Sequence, residues 1–143
     1  MEIVRLIRCV RATTAVEFAL VIGPFIMIVL GAIEFSRMEW AQEGLQETAI
    51  SGARCVGMMQ TVCATNNVVN ASASTTFIQA EGQKWGLTIP SGNVTITATT
   101  SCGGVSGFSQ VSLTYTFVSI VPVLLNLLPA GNTLTAIACF PSA

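Results

Sequence analysis

The chain has 143 residues, room for about one domain. Six Lys and Arg against seven Glu and no Asp give a net charge of −1; charged residues are 9% of the total and hydrophobic ones 52%. That balance excludes nucleic-acid binding by bulk charge, which needs clustered Lys and Arg, and a disordered tail, because there is too much apolar surface to leave in water. The absence of His and Asp excludes His-based acid–base chemistry, Ser-His-Asp triads and His-ligated metal sites. No metal or cofactor is expected.

Arg5, Arg8 and Arg11 punctuate a basic start, residues 1–12. An apolar run, Val16 to Ile33, follows, with Glu17 as its only charge. Eleven of its positions are Val, Ile, Leu or Phe, each worth about −0.5 kcal/mol on insertion, about −5 kcal/mol together. A carboxylate costs about +3 kcal/mol at the bilayer centre and less near an end, where Glu17 stands. Insertion therefore wins. Counted from Thr13, the helix has about the 20 residues needed to span, and we read residues 13–33 as a transmembrane half-helix. The arginines before it place the N-terminus in the cytoplasm and the C-terminal domain outside. A cleaved secretory signal is the plain alternative, but the run exceeds the roughly 7–15 residues of a signal core. Pro24, preceded by Gly23, is expected to kink or loosen the helix. Glu17 is the odd residue. It either lies at the interface, favoured by the helix dipole, or has a function.

Arg11 to Leu20 (RATTAVEFAL), the apolar run and Gly31 to Arg37 (GAIEFSR) resemble the TadE-like family of minor pseudopilins from tight-adherence (Flp, type IVc) pilus machinery. Trp40-Ala41-Gln42 through Ser51-Gly52-Ala53-Arg54-Cys55 fits too, so the resemblance covers residues 11–55. It implies a structural subunit of the bacterial inner membrane, with its C-terminal domain in the periplasm. It implies cleavage by a prepilin peptidase between Ala12 and Thr13, making Glu17 the fifth residue, followed by Phe18. Ala12 stands where Gly is usual. The implied role of Glu17 is an assembly contact with the N-terminal amine of a neighbouring subunit. Implied partners are the prepilin peptidase, other pseudopilins, the major pilin and the inner-membrane secretion platform. The implied outcome is incorporation into a surface pilus serving adherence, biofilm formation or secretion. Glu34-Phe35 has Val29 at the junction position and is not read as a cleavage site.

Residues 34–60 continue with helical periodicity. Met38, Ala41, Leu45, Ala49, Gly52, Val56 and Met59 form an apolar face. Glu39, Glu43 and Glu47 line another, read as a solvated face or as a contact for a partner's Arg or Lys. Gly44, Gly52 and Gly57 either weaken the helix or allow close packing. The whole helix, 13–60, would measure roughly 70 Å. Residues 61–75 read as a loop, 76–85 as a short helix ending near Gly86, and Pro90-Ser91-Gly92-Asn93 as a turn. Val94–Thr100 and Ser109–Val118 alternate as strands joined by a loop over Cys102–Gly107. Ile120–Leu128 is too short to span and reads as a buried connector or an exposed contact patch. Thr133–Phe140 reads as a third strand. The expected fold is α+β: a long N-terminal helix, with a small antiparallel sheet in the 61–143 domain packed on its exposed half.

Of five cysteines, Cys9 lies in the leader. Cys55, Cys63, Cys102 and Cys139 fall on the side expected to be oxidising, and an even count there suggests two disulfides. If the helix runs intact through Cys63, that residue stands about 12 Å from Cys55, beyond disulfide reach. A break near Gly57 or Thr61-Val62 would reopen that pairing. Cys102 and Cys139, both at strand ends, are the preferred pair; buried free thiols are the alternative. An enzyme is not expected, since Ser and Thr have no base beside them and Glu81/Lys84 reads as a surface pair. The competing function is an unprocessed, single-pass anchored extracytoplasmic binding module, which would keep its leader.

Overall fold

The computed structural model describes residues 10–120 and 132–142, with side chains described from Thr14 onward. Arg5, Arg8 and Cys9 of the leader lie outside the described residues, as does nearly all of the 120–128 stretch. The chain divides into two compact units, Met1–Ser36 and Arg37–Ala143. Helix α1, Val10–Gly57, contributes to both.

In the first unit the side chains of α1 from Val16 to Ile33 are, Glu17 apart, apolar or small. Val16, Phe18, Leu20, Val21, Phe25, Met27 and Ile28 are all more than half exposed. An 18-residue window of this helix has a mean hydropathy of 2.4 and is entirely unburied, so it is long and apolar enough to cross a membrane. Val and Ile are indifferent helix formers in water, but in hydrocarbon a helix satisfies every backbone polar group within the segment. Pro24 is accommodated inside the helix. The Ser36 hydroxyl donates to the Ala32 carbonyl at 2.8 Å, disposing of one polar group locally. Helical backbone is already present at Val10–Ala12, ahead of Thr13; Val-Arg-Ala contains nothing that stops a helix.

In the second unit α1 buries a face of small residues. Ala41, Leu45, Ala49, Ala53 and Val56 are at most 5% exposed. This is the face anticipated from periodicity, except that Met38 and Met59 are only half-buried. The glycines are close-packing sites. A Cβ on Gly44 would stand 2.8 Å from Trp85 Cβ, and one on Gly52 would stand 2.7 Å from Ile78 Cγ1. The buried Thr48 hydroxyl bonds back to the Gly44 carbonyl at 2.7 Å.

The helix stops three residues earlier than expected. Met59 adopts φ 48°, the left-handed region. Its N–H bonds to Val56 O at 3.1 Å, and the Gln60 N–H bonds to Cys55 O at 3.1 Å. This is a Schellman cap built on a residue other than glycine. The chain then reverses, and Ala64–Thr65 (β1) pairs with Val68–Val69 (β2). Residues 61–75 are therefore not a structureless loop. Asn66 and Asn67, at φ 52° and 59°, make the two-residue left-handed turn that Asn tolerates and that suits hairpin twist.

Helix α2, Ala71–Lys84, starts five residues before the expected Thr76. The cause is Asn70, whose side-chain oxygen accepts the Ala73 N–H at 3.1 Å and caps the first turn. Gly86, at φ 75°, ends it as expected, with Leu87 N–H returning to Gly82 O at 2.9 Å. After a 3₁₀ turn at Ser91–Asn93, strands β3 (Val94–Cys102), β4 (Val105–Thr116) and β5 (Thr133–Pro141) form an antiparallel sheet in the order β3-β4-β5. The Cys102–Gly107 loop anticipated from sequence contracts to Gly103-Gly104, both at positive φ. Val105 already pairs with Cys102.

One face of the sheet, carrying Val111, Leu113, Ala136 and Ala138, joins the α1 alanines, Ile78, Leu87, Ile89 and Phe117 in a single core. Two glutamines on α1 also cover the β5 edge. Gln42 donates to Thr135 O at 3.0 Å and Gln46 to Ile137 O at 3.4 Å. Capping outward carbonyls in this way blocks strand addition there. The α+β reading is correct for the described residues.

Candidate assembly segment and its comparison with known proteins

The residues singled out for processing and assembly all sit near the start of α1. Ala12 and Thr13 lie in its first turn, their backbone already helical. Glu17 and Phe18 follow, both exposed, Phe18 at 66%. Glu17 is thus an exposed carboxylate at the head of a run that from Val16 to Ile33 is otherwise apolar or small, and an unpaired charge in a low dielectric is costly.

Cys55, Cys63, Cys102 and Cys139 lie in the second unit and form two disulfides. Cys55 joins Cys63 at a Cα separation of 5.9 Å, and Cys102 joins Cys139 at 6.5 Å. The first pairing depends on the reversal at Met59; without it the two positions would be too far apart. This cross-link is buried with Val56 in a satellite of the core. The second ties the two edge strands across β4.

Glu39, Glu43 and Glu47 are exposed along α1. Glu81 and Lys84 form the anticipated i, i+3 surface pair on α2. Among the described residues no group of three or more His, Cys, Asp or Glu could hold a metal ion.

Sequence reasoning missed an aromatic cluster on the second unit. Trp40 and Trp85 have ring centroids 5.4 Å apart, and the Arg37 guanidinium lies 5.6 Å from the centre of the Phe117 ring. These residues line a shallow, open pocket with Tyr115 and Val118. Gly44 is the only local signal for it, because its missing Cβ lets Trp85 lie against α1. Nothing in the linear sequence connects residues 40, 85 and 117.

Residues 12–54 match the family model of TadE-like proteins. The chain thus carries a TadE-like segment that begins at Ala12, takes in Glu17 and the apolar half of α1, and ends at Arg54 on the packed half. It stops before the first disulfide, α2 and the three-stranded sheet. No curated protein and no solved structure matches the chain significantly.

Proposed function

We propose that the protein is a minor pseudopilin-like structural subunit of a tight-adherence (Flp, type IVc) pilus or a related secretion filament. The observation that supports this most is the coincidence of the TadE-like match, residues 12–54, with a helix whose first part is membrane-length, apolar and wholly exposed. In this reading α1 holds the subunit in the bacterial inner membrane, N-terminus inside. A prepilin peptidase cuts between Ala12 and Thr13. The disulfide-linked second unit lies in the periplasm, an oxidising compartment in which such cross-links persist. The role is structural and not catalytic, and the partners are sister pseudopilins, the major pilin and the secretion platform.

Glu17 is the assembly contact, and it pairs with the free amine of a neighbouring subunit as the chain leaves the membrane. Removing one member of a desolvated ion pair costs about 3–5 kcal/mol. Glu17→Gln should therefore reduce incorporation into sheared filaments far more than tenfold while leaving the amount in the membrane unchanged. Immunoblotting of filament and membrane fractions checks both quantities. Wild-type incorporation of the variant would remove this role.

A further inference from the structure

We infer that strand β3 pairs edge to edge with β3 of a second copy of this chain, antiparallel and about a two-fold axis at Ile96, so that two three-stranded sheets become one continuous sheet.

The two edges of the sheet differ. The β5 edge is covered by Gln42 and Gln46, whose amides donate to its carbonyls. β3 pairs with β4 and, among the described residues, with no other strand. The Val94 N–H is taken up by Ser91 O, so the open edge begins just beyond it. Exposed edges are ordinarily protected by lysine, an inward-pointing charge, proline or a bulge. β3 has no charge and no proline, and no charged residue follows Lys84 in the chain. Its protection is the extra residue between Thr97 and Thr100, where its register with β4 shifts. A bulge of this kind ends regular pairing and leaves the first half of the strand as the usable edge.

That first half selects its own copy as the occupant. Read in either direction, Val94 to Ala98 is apolar, Thr, Ile, Thr, apolar. Opposed residues of an antiparallel pair share a face, so an added strand must set an apolar residue against Ile96 and polar ones against Thr95 and Thr97. Ile96 is half-buried against the core, whereas Thr95 and Thr97 are exposed. An axis at Ile96 meets this requirement throughout: Ile96 opposes the partner's Ile96, Thr95 the partner's Thr97, and Val94 the partner's Ala98. A slip of one residue would set Ile96 against threonine. Centring on Thr95 runs the pairing into the Ser91–Asn93 turn, and centring on Thr97 runs it into the register shift. Cross-strand pairs of β-branched residues and of threonines are favourable, and a sheet without charges offers nothing to repel its copy.

Sedimentation equilibrium of the full chain in density-matched detergent tests this with the wild type, Thr95→Lys/Thr97→Lys and Thr95→Lys/Thr97→Glu. The wild type should dimerise at micromolar concentration. The first variant sets lysine against lysine twice and should weaken the dimer about tenfold or more. The second sets lysine against glutamate twice and should dimerise within about threefold of the wild type. A monomeric wild type overturns the inference. So does a dimer that Thr95→Lys/Thr97→Lys leaves intact, since it is joined elsewhere, and so does loss of the dimer in both variants, since the register is then wrong. Amide hydrogen exchange of the wild type needs no substitution and decides the matter if a variant fails to fold. Exchange over residues 94–98 should slow as the chain is concentrated through the dimerisation range, and exchange there that is independent of concentration overturns the pairing.

Discussion

Replacing Cys102 and Cys139 together by alanine is expected to cost the second unit about 4 kcal/mol. The pair closes 37 residues of chain, and the loop-closure entropy returned to the unfolded chain by opening such a loop is about that size. Cys139 is exposed and Cys102 half-buried, so truncating them leaves little cavity and the effect is almost wholly that of the lost cross-link. It falls where the sheet most needs a tie, since β3 and β5 touch β4 but not each other. Cys55–Cys63 closes only eight residues, worth about 2.5 kcal/mol by the same reasoning, with a packing loss added because both sulfurs are buried. Trp40 and Trp85 both lie in the second unit, so fluorescence-monitored denaturant unfolding of the detergent-solubilised chain reads its stability directly. A loss under about 1 kcal/mol for the Cys102/Cys139 variant, within the ordinary scatter of surface substitutions, would mean that the cross-link does not restrain the unfolded chain.

Gly57→Ala is expected to destabilise the same unit by about 2 kcal/mol, although alanine is the better helix former by about 1 kcal/mol. The new Cβ would stand 2.8 Å from the Pro141 carbonyl oxygen, 2.8 Å from Ser109 Oγ and 2.9 Å from Phe140 Cδ1. None of these yields easily. The first is backbone, and the end of β5 is held where Ser142 N–H bonds to Gly107 O at 2.9 Å. Ser109 Oγ is engaged with Ala53 O at 3.0 Å and Phe140 O at 3.1 Å. Overpacking of this kind costs about 1–3 kcal/mol, and the rigid surroundings put Gly57 at the upper end. Gly92→Ala is the control: its Cβ would meet nothing within 4 Å, and its effect should stay within about 0.5 kcal/mol. Equal stabilities of the two variants would contradict the packing account.

The contrast between these glycines shows where sequence reading stops. The apolar face of α1 and the three strands were legible because periods of 3.6 and 2 register directly in residue order. A glycine on that face signals either a weak helix or a close approach, and only the position of Pro141 or Trp85 decides which. The same holds for the Cys55–Cys63 bond. It waits on one backbone reversal, at Met59, a residue type with no preference for positive φ. Asn66-Asn67 and Asn70 did carry local signals, a hairpin turn and a helix cap, but within TVCATNNVVNASAST they are hidden by small polar neighbours that read as loop. The TadE-like segment was the most legible part, because its information is linear: arginines, a small residue, Glu17-Phe18 and an apolar run. The aromatic cluster was the least legible, because its members are separated by dozens of residues and meet only when α1, α2 and β4 pack.

The central claim, processing and assembly through the start of α1, is tested most directly at the mature N-terminus. Mass spectrometry of the protein isolated from membranes of its native host should find a chain beginning at Thr13, and that form should vanish in a strain lacking prepilin peptidase. An intact leader retaining Cys9 would contradict the account and leave an anchored binding module; a start after Ile33 would contradict it too, by showing an ordinary secreted protein.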